Sequence, residues 1–169
     1  MGSVDGKADP SDHVPAWHRD ELRSAGGTEM PFSITQSCVG CQACTKVCPV
    51  SAITGQKKEI HVIDQDLCIE CGACGRICPH ASVLDSFGAL CAMVKRSRWK
   101  KPRVNNDGCM SCNICIETCP ANCLDLSQPH DSGNPHGFPY LKDGRACIGC
   151  GFCALECPVG AITMTSPAT

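Results

Sequence analysis

The chain has 169 residues, a formal charge of −2 and 43% hydrophobic residues, yet only 4% are aromatic and 18 are cysteine. Halves of such a chain, with so few large side chains, cannot build a sizeable core unaided, and at that size metals or disulfides usually help. Residues 1–20 carry no apolar leader stretch and nothing approaches 18 consecutive apolar residues, so the cysteines are expected to meet a reducing cytoplasm as metal ligands, with no membrane span.

Residues 1–30 are polar and free of cysteine, and Pro15 and Gly26 punctuate a short helix there. This segment is expected to be a tail that docks on a partner surface through Trp17 and Leu22. Residues 31–90 read as one module. Its first cysteine run is Cys38, Cys41, Cys44, Cys48 with Pro49, and the second is Cys68, Cys71, Cys74, Cys78 with Pro79. Phe32–Thr35, Ile60–Ile63 and Ser82–Leu84 have strand character, and a turn at Gly55–Lys58 predicts a hairpin between Ala52–Thr54 and the Ile60 strand.

Residues 91–108 form a basic linker in which Lys95–Arg103 packs six cations into nine positions. A nucleic-acid surface would need more basic residues and stacking aromatics than the single Trp99. Two readings remain for this linker: a solvated strip that balances nearby negative charge, or a docking strip for an acidic partner subunit that sets encounter rate and orientation. Residues 109–169 repeat the module. The third run is Cys109, Cys112, Cys115, Cys119 with Pro120, and the fourth is Cys147, Cys150, Cys153, Cys157 with Pro158. The proline-rich loop Ser127–Pro139 between them reads as a contact element stiffened by Phe138. Cys91 and Cys123 fit no run and are expected to behave as small buried hydrophobes.

Each run has the spacing C-x2-C-x2-C-x3-C-P, and the four copies use 16 of the 18 cysteines. At these motifs, across roughly Ile34 to Thr163, the chain resembles the bacterial-type ferredoxins, as a polyferredoxin of two tandem two-cluster modules. The resemblance implies an α+β fold of short antiparallel hairpins and short helices around four [4Fe–4S] clusters. Small residues between the cysteines (Gly40, Ala43, Gly72, Ala73, Gly149, Gly151) let backbone N–H groups approach the sulfides. In two-cluster ferredoxins the fourth cysteine of a run ligates the other cluster. The resemblance therefore implies four ligand sets: Cys38, Cys41, Cys44 and Cys78; Cys68, Cys71, Cys74 and Cys48; Cys109, Cys112, Cys115 and Cys157; Cys147, Cys150, Cys153 and Cys119. A rival pairing, first run with fourth and second with third, is known in some molybdenum oxidoreductase subunits. The 30 residues between Cys78 and Cys109 and the regularity of all four runs favour sequential pairing.

Each oxidised cluster with its thiolates adds about −2, so the loaded chain carries about −10. The sequence holds no nucleophile with a base, no phosphate-binding glycine loop and no flavin or nicotinamide fingerprint, so no catalytic residue is expected. The chain looks like the small iron–sulfur subunit of tungsten or molybdenum oxidoreductases such as aldehyde oxidoreductase. That implies a large catalytic partner, a flavin subunit and self-stacking into longer conductors. A free-standing soluble polyferredoxin and a structural zinc protein are the alternatives, although zinc sites favour separated C-x2–4-C pairs.

Overall fold

The computed structural model describes residues 31–129 and 135–167. The expected helix with Trp17 and Leu22, and the middle of the Ser127–Pro139 loop, lie outside the described residues. In the first module, strand β1 (Ser33–Ile34) is followed by β2 (Ile53–Thr54), β3 (Val62–Ile63), helix α1 (Ala73–Ile77) and β4 (Val83–Leu84). The middle strands pair antiparallel, Ile53 opposite Ile63, and form the expected hairpin. The outer strands close the module, Ile34 opposite Val83.

The second module repeats this strand order and adds a helix in its first run: β5 (Lys101–Val104), α2 (Ile114–Glu117), β6 (Leu124–Leu126), β7 (Pro139–Leu141), α3 (Phe152–Leu155) and β8 (Ile162–Thr165). Again the middle strands β6 and β7 pair, and the outer strands β5 and β8 pair in register from Lys101–Thr165 to Val104–Ile162. The fold is thus α+β, two copies of one small antiparallel plan.

The cysteine runs keep the helices short. Each begins beside the third cysteine and stops at or just before the fourth, because the following proline disfavours a helical residue ahead of it. Cys78, ahead of Pro79, is extended at φ −71° and ψ 113°. Sulfur then supplies much of the interior. The first core joins Cys44, Cys74 and Cys78 to Phe32, Ile53, Ile63 and Val83, and the second joins five cysteines to Leu124 and Ile162.

A third cluster lies between the modules, where Val47 and Ala73 meet Trp99 and Ile148. Trp99 is 1% exposed and its indole N–H donates to the Val94 carbonyl at 2.9 Å. The basic segment therefore does two structural jobs. Its tryptophan fills the space between modules, and its second half from Lys101 onward is strand β5. Lys95, Arg96, Arg98 and Arg103 remain exposed, while Lys100 and Lys101 are half-buried.

Candidate metal-cluster sites

All four cysteine runs share one backbone path. The residue before the second cysteine is left-handed in every run: Gly40, Glu70, Ser111 and Gly149, with φ from 54° to 64°. The residue after it is left-handed as well: Gln42, Gly72, Asn113 and Gly151, φ 63° to 87°. The third residue beyond the fourth cysteine completes the set: Ser51, Ala81, Asn122 and Gly160, φ 46° to 61°. Alternating right- and left-handed residues turn successive N–H groups to one side and make a concavity for anions. Sequence reasoning singled out Gly40, Gly72, Gly149 and Gly151 but not Gly160, nor Gln42, Glu70 and Ser111, whose side chains do not advertise a left-handed backbone.

The side chains close around these concavities. Cys38, Cys41, Cys44 and Cys78 line one cavity, together with Val39, His61 and Val83. Cys48, Cys68, Cys71 and Cys74 line another, with Phe32, Ile53 and Ile63. In the second module Cys115 faces Cys109, Cys112 and Cys157. Cys153 faces Cys150, Cys147 and Cys119, and more weakly Cys115. Backbone N–H groups reach several sulfurs: Gly40 donates to Cys38 Sγ at 3.5 Å, Ser82 to Cys78 Sγ at 3.4 Å and Ala161 to Cys157 Sγ at 3.2 Å. Among the described residues no three Cys, His, Asp or Glu side chains close on a single ion. A cube takes one sulfur at each of four irons, so its ligands line a cavity instead of converging on a point.

Burial pushes the Cys44 and Cys71 thiols up to about 11 and Cys153 up to about 12. Protein groups alone do not stabilise thiolates in these cavities, and a coordinated metal does so directly. Cys147 differs. A hydrogen bond from Cys123, then the Gly149 N–H and the charges of Lys101 and Arg76, bring it below the usual thiol range against its burial.

Neither cysteine outside the runs lines either of the first module's cavities. Cys123 is 2% exposed and sits four residues past the fourth cysteine of its run, the position held by Ala52, Ser82 and Ala161, all 5% exposed or less. It is the small residue this turn requires, with its sulfur 3.4 Å from Cys119 Sγ. Cys91 packs against Gly75 of α1, where a Cβ would run into its sulfur.

Two side chains escaped sequence reasoning. His61 is 1% exposed, with Nδ1 3.1 Å from the Glu59 carbonyl and 3.9 Å from Cys38 Sγ, and Nε2 has no protein partner. The hairpin delivers it to the first cavity, and nothing in the spacing of histidines signals that; His80, directly after Cys78 and Pro79, lines the same cavity but is exposed. The second is Arg76, 9% exposed in the gap between Cys74 and Cys78. Burial lowers its pKa, and the sulfurs of Cys71, Cys150, Cys74 and Cys147 hold it up. The return leg of the long loop also reaches a cluster run, since Ser111 Oγ donates to the Gly137 carbonyl at 2.7 Å.

Comparison with known proteins follows this division of the chain. Models of the 4Fe-4S dicluster domain match residues 37–82 and, separately, residues 108–162, together more than half of the chain. The chain is 43% identical over 49 residues to a subunit of the ion-translocating oxidoreductase complex of Thiobacillus denitrificans, covering 27% of this chain and 26% of that protein. The corresponding subunit of Magnetococcus marinus is 43% identical over 37 residues, covering 22% and 20%. The chain thus spans about a quarter or less of the curated relatives it matches. A chain of the formate dehydrogenase–heterodisulfide reductase–formylmethanofuran dehydrogenase complex of Methanospirillum hungatei is 26% identical, with a TM-score of 0.34 over 78% of this chain and 53% of that one. Among the described residues, no helix is long and apolar enough to cross a membrane.

Proposed function

This chain belongs to the ferredoxins built from 4Fe-4S dicluster domains, two in tandem with four [4Fe–4S] clusters, and we propose that it is the relay subunit of a tungsten- or molybdenum-containing oxidoreductase of the aldehyde-oxidoreductase kind. A [4Fe–4S] cluster supplies one-electron chemistry, and the chain's part is to hold, space and tune such centres. The cavities support sequential ligand sets: Cys38, Cys41, Cys44 and Cys78; Cys48, Cys68, Cys71 and Cys74; Cys109, Cys112, Cys115 and Cys157; Cys119, Cys147, Cys150 and Cys153. The proposed modules are 31–90 and 109–169, joined by 91–108, whose strand β5 completes the outer sheet of the second module.

One observation carries the relay reading. Of the eighteen cysteines only Cys41 and Cys112 are exposed, one in the first run and one in the third, whereas the second and fourth runs meet inside the molecule. Val39 lies exposed beside Cys41, and Met110 and Ile114 lie exposed beside Cys112. Each module thus offers one open cluster site with an apolar rim for a neighbour: the catalytic subunit on one side, and a flavin subunit, a diffusing carrier or another copy on the other.

A second reading is favoured by the local identity to those two relatives: the chain serves an ion-translocating oxidoreductase complex. Anaerobic purification of the tagged chain from its native host, with metal analysis of whatever accompanies it, separates the two. Tungsten or molybdenum in a large co-purifying subunit supports the first reading. Co-purifying membrane subunits without either metal support the second, and a lone brown protein with about 16 Fe refutes both in favour of a free carrier.

A further inference from the structure

We infer that Arg76 is a shared electrostatic link between the second and fourth cluster sites, a single buried positive charge held against both. The inference rests on the reading that the second and fourth runs each hold a cluster. It does not depend on how the fourth cysteines pair, because Cys71, Cys74, Cys147 and Cys150 belong to the first three positions of their runs.

Arg76 sits within α1, and the cysteine motif does not require it there. The matching residues of the other runs are Lys46 and Glu117, both exposed, and Leu155, half-buried. Its guanidinium reaches across the module boundary. Nη2 donates to the Cys71 carbonyl at 3.0 Å and the Ile148 carbonyl at 3.1 Å. Nη1 donates to the Gly149 carbonyl at 3.0 Å, and Nε to the Gly72 carbonyl at 3.4 Å. Every one of these carbonyls belongs to the stretch between the first and third cysteines of run two or run four. The charge also lies over the Trp99 ring, 4.9 Å from its centroid.

These partners take four of the five N–H groups and leave the charge uncompensated. None is a carboxylate, and a buried cation without a counter-charge is costly. The anionic groups that face Arg76 are sulfurs from both runs, Cys71 and Cys150 first, then Cys74 and Cys147. Four thiolates around each cube make both sites net negative, and they supply the compensation that the protein withholds. An electron added at either site raises the negative charge facing Arg76, so the cation favours the reduced state of both. Lys101 adds an asymmetry. Its Nζ donates to the Cys147 carbonyl at 2.7 Å, which gives the fourth run a second cation.

The test is an EPR-monitored redox titration of the intact, fully loaded protein, comparing wild type with Arg76→Gln and Arg76→Lys. In Arg76→Gln two of the four clusters become harder to reduce by about tenfold in equilibrium constant or more, which is 59 mV for a one-electron couple. The other two clusters stay within threefold. They are identified by repeating the titration in Cys41→Ser and Cys112→Ser backgrounds, whose altered clusters must belong to the unmoved pair. Arg76→Lys, which keeps the charge and loses the forked bonding, stays within threefold at all four. If Arg76→Gln does not hold its iron, Arg76→Lys decides: the inference requires its potentials to stay put and fails if they move. No shift in a fully loaded Arg76→Gln, or an equal shift in all four clusters, overturns the inference and leaves the cluster reading intact. Wild-type protein reconstituted without about 16 Fe overturns both.

Discussion

Gly149 and Gly151 flank Cys150 and are both left-handed, at φ 64° and 87°, so alanine at either meets the same backbone penalty of about 1–2 kcal/mol. Their surroundings differ. A Cβ on Gly151 meets nothing within 4 Å, whereas a Cβ on Gly149 would stand 2.7 Å from the Lys100 carbonyl oxygen, 3.5 Å from Arg76 Nη1 and 3.6 Å from Trp99 Cβ. The nearest atom is backbone in the segment that joins the modules, so it cannot swing aside as a side-chain tip would. Overpacking of this kind costs about 1–3 kcal/mol more. Gly149→Ala should therefore lose its 400 nm absorbance in anaerobic guanidinium roughly 5- to 150-fold faster than Gly151→Ala, at about tenfold for each 1.4 kcal/mol carried by the unfolding rate. Equal bleaching rates would refute the idea that the modules are packed against each other through this loop, since the conformational cost alone would then account for both variants.

Other perturbations probe neighbouring parts of the same picture. Trp99→Ala removes the largest fully buried side chain among the described residues and should cost about 3–5 kcal/mol. Limited proteolysis should then cut within 91–108 at least tenfold faster; an unchanged rate would mean that Trp99 does not hold the segment. Cys123→Ala should keep about 16 Fe per chain, because alanine already fills the matching turn at Ala52 and Ala161, while Cys119→Ala should lose iron; loss of iron in Cys123→Ala would make Cys123 a ligand. If the basic segment docks an acidic partner, glutamate at Lys95, Arg98 and Arg103 should slow transfer about tenfold at low salt and little at high salt. Changes at Lys101 are unsuitable for that test, since its ammonium is engaged on the Cys147 carbonyl. A transfer rate unaffected at every ionic strength would leave these residues as charge balance only.

The family resemblance carried by the cysteine runs was enough to imply the fold class and the cluster type, because tetrathiolate cubes impose one loop shape on any chain that binds them, and the Gly55–Lys58 turn signal was enough for the hairpin. The strands were legible for the same local reason: Ile53, Ile63, Ile34 and Val83 are β-branched residues beside turn signals. What escaped was set by contacts distant in sequence. Arg76 reads as an ordinary solvent-facing cation in a helix, and only the return of residues 148 and 149 against α1 buries it. His61 is drawn inward by the hairpin that pairs Thr54 with Val62. The basic run Lys95–Arg103 looked uniform in sequence, yet pairing with β8 divides it: Lys101, Pro102 and Arg103 enter a sheet while Arg96 and Arg98 stay in a turn.

The left-handed residues make a final demand on the cofactor. Twelve positions in the four runs adopt φ > 0, and five of them, Gln42, Ser51, Glu70, Ala81 and Ser111, are neither glycine nor asparagine. At about 1–2 kcal/mol each they cost roughly 5–10 kcal/mol, which is the size of the whole folding stability of a typical domain. The cores inside the two modules are too small to offset this, being half sulfur with Phe32 as the one large aromatic, and the cluster around Trp99 lies between the modules, away from most of these loops. Strain of this kind persists only where something over-determines the backbone, and the four tetrathiolate centres, closing each loop on itself, are the one contribution large enough. Iron removal should accordingly unfold both modules, not just empty them. Anaerobic treatment with a strong chelator should abolish far-UV structure in parallel with the 400 nm band, and reconstitution with iron and sulfide should restore both together. A colourless chain that kept its far-UV spectrum and resisted protease would show that the peptide holds these loops unaided, and the strain argument would fall.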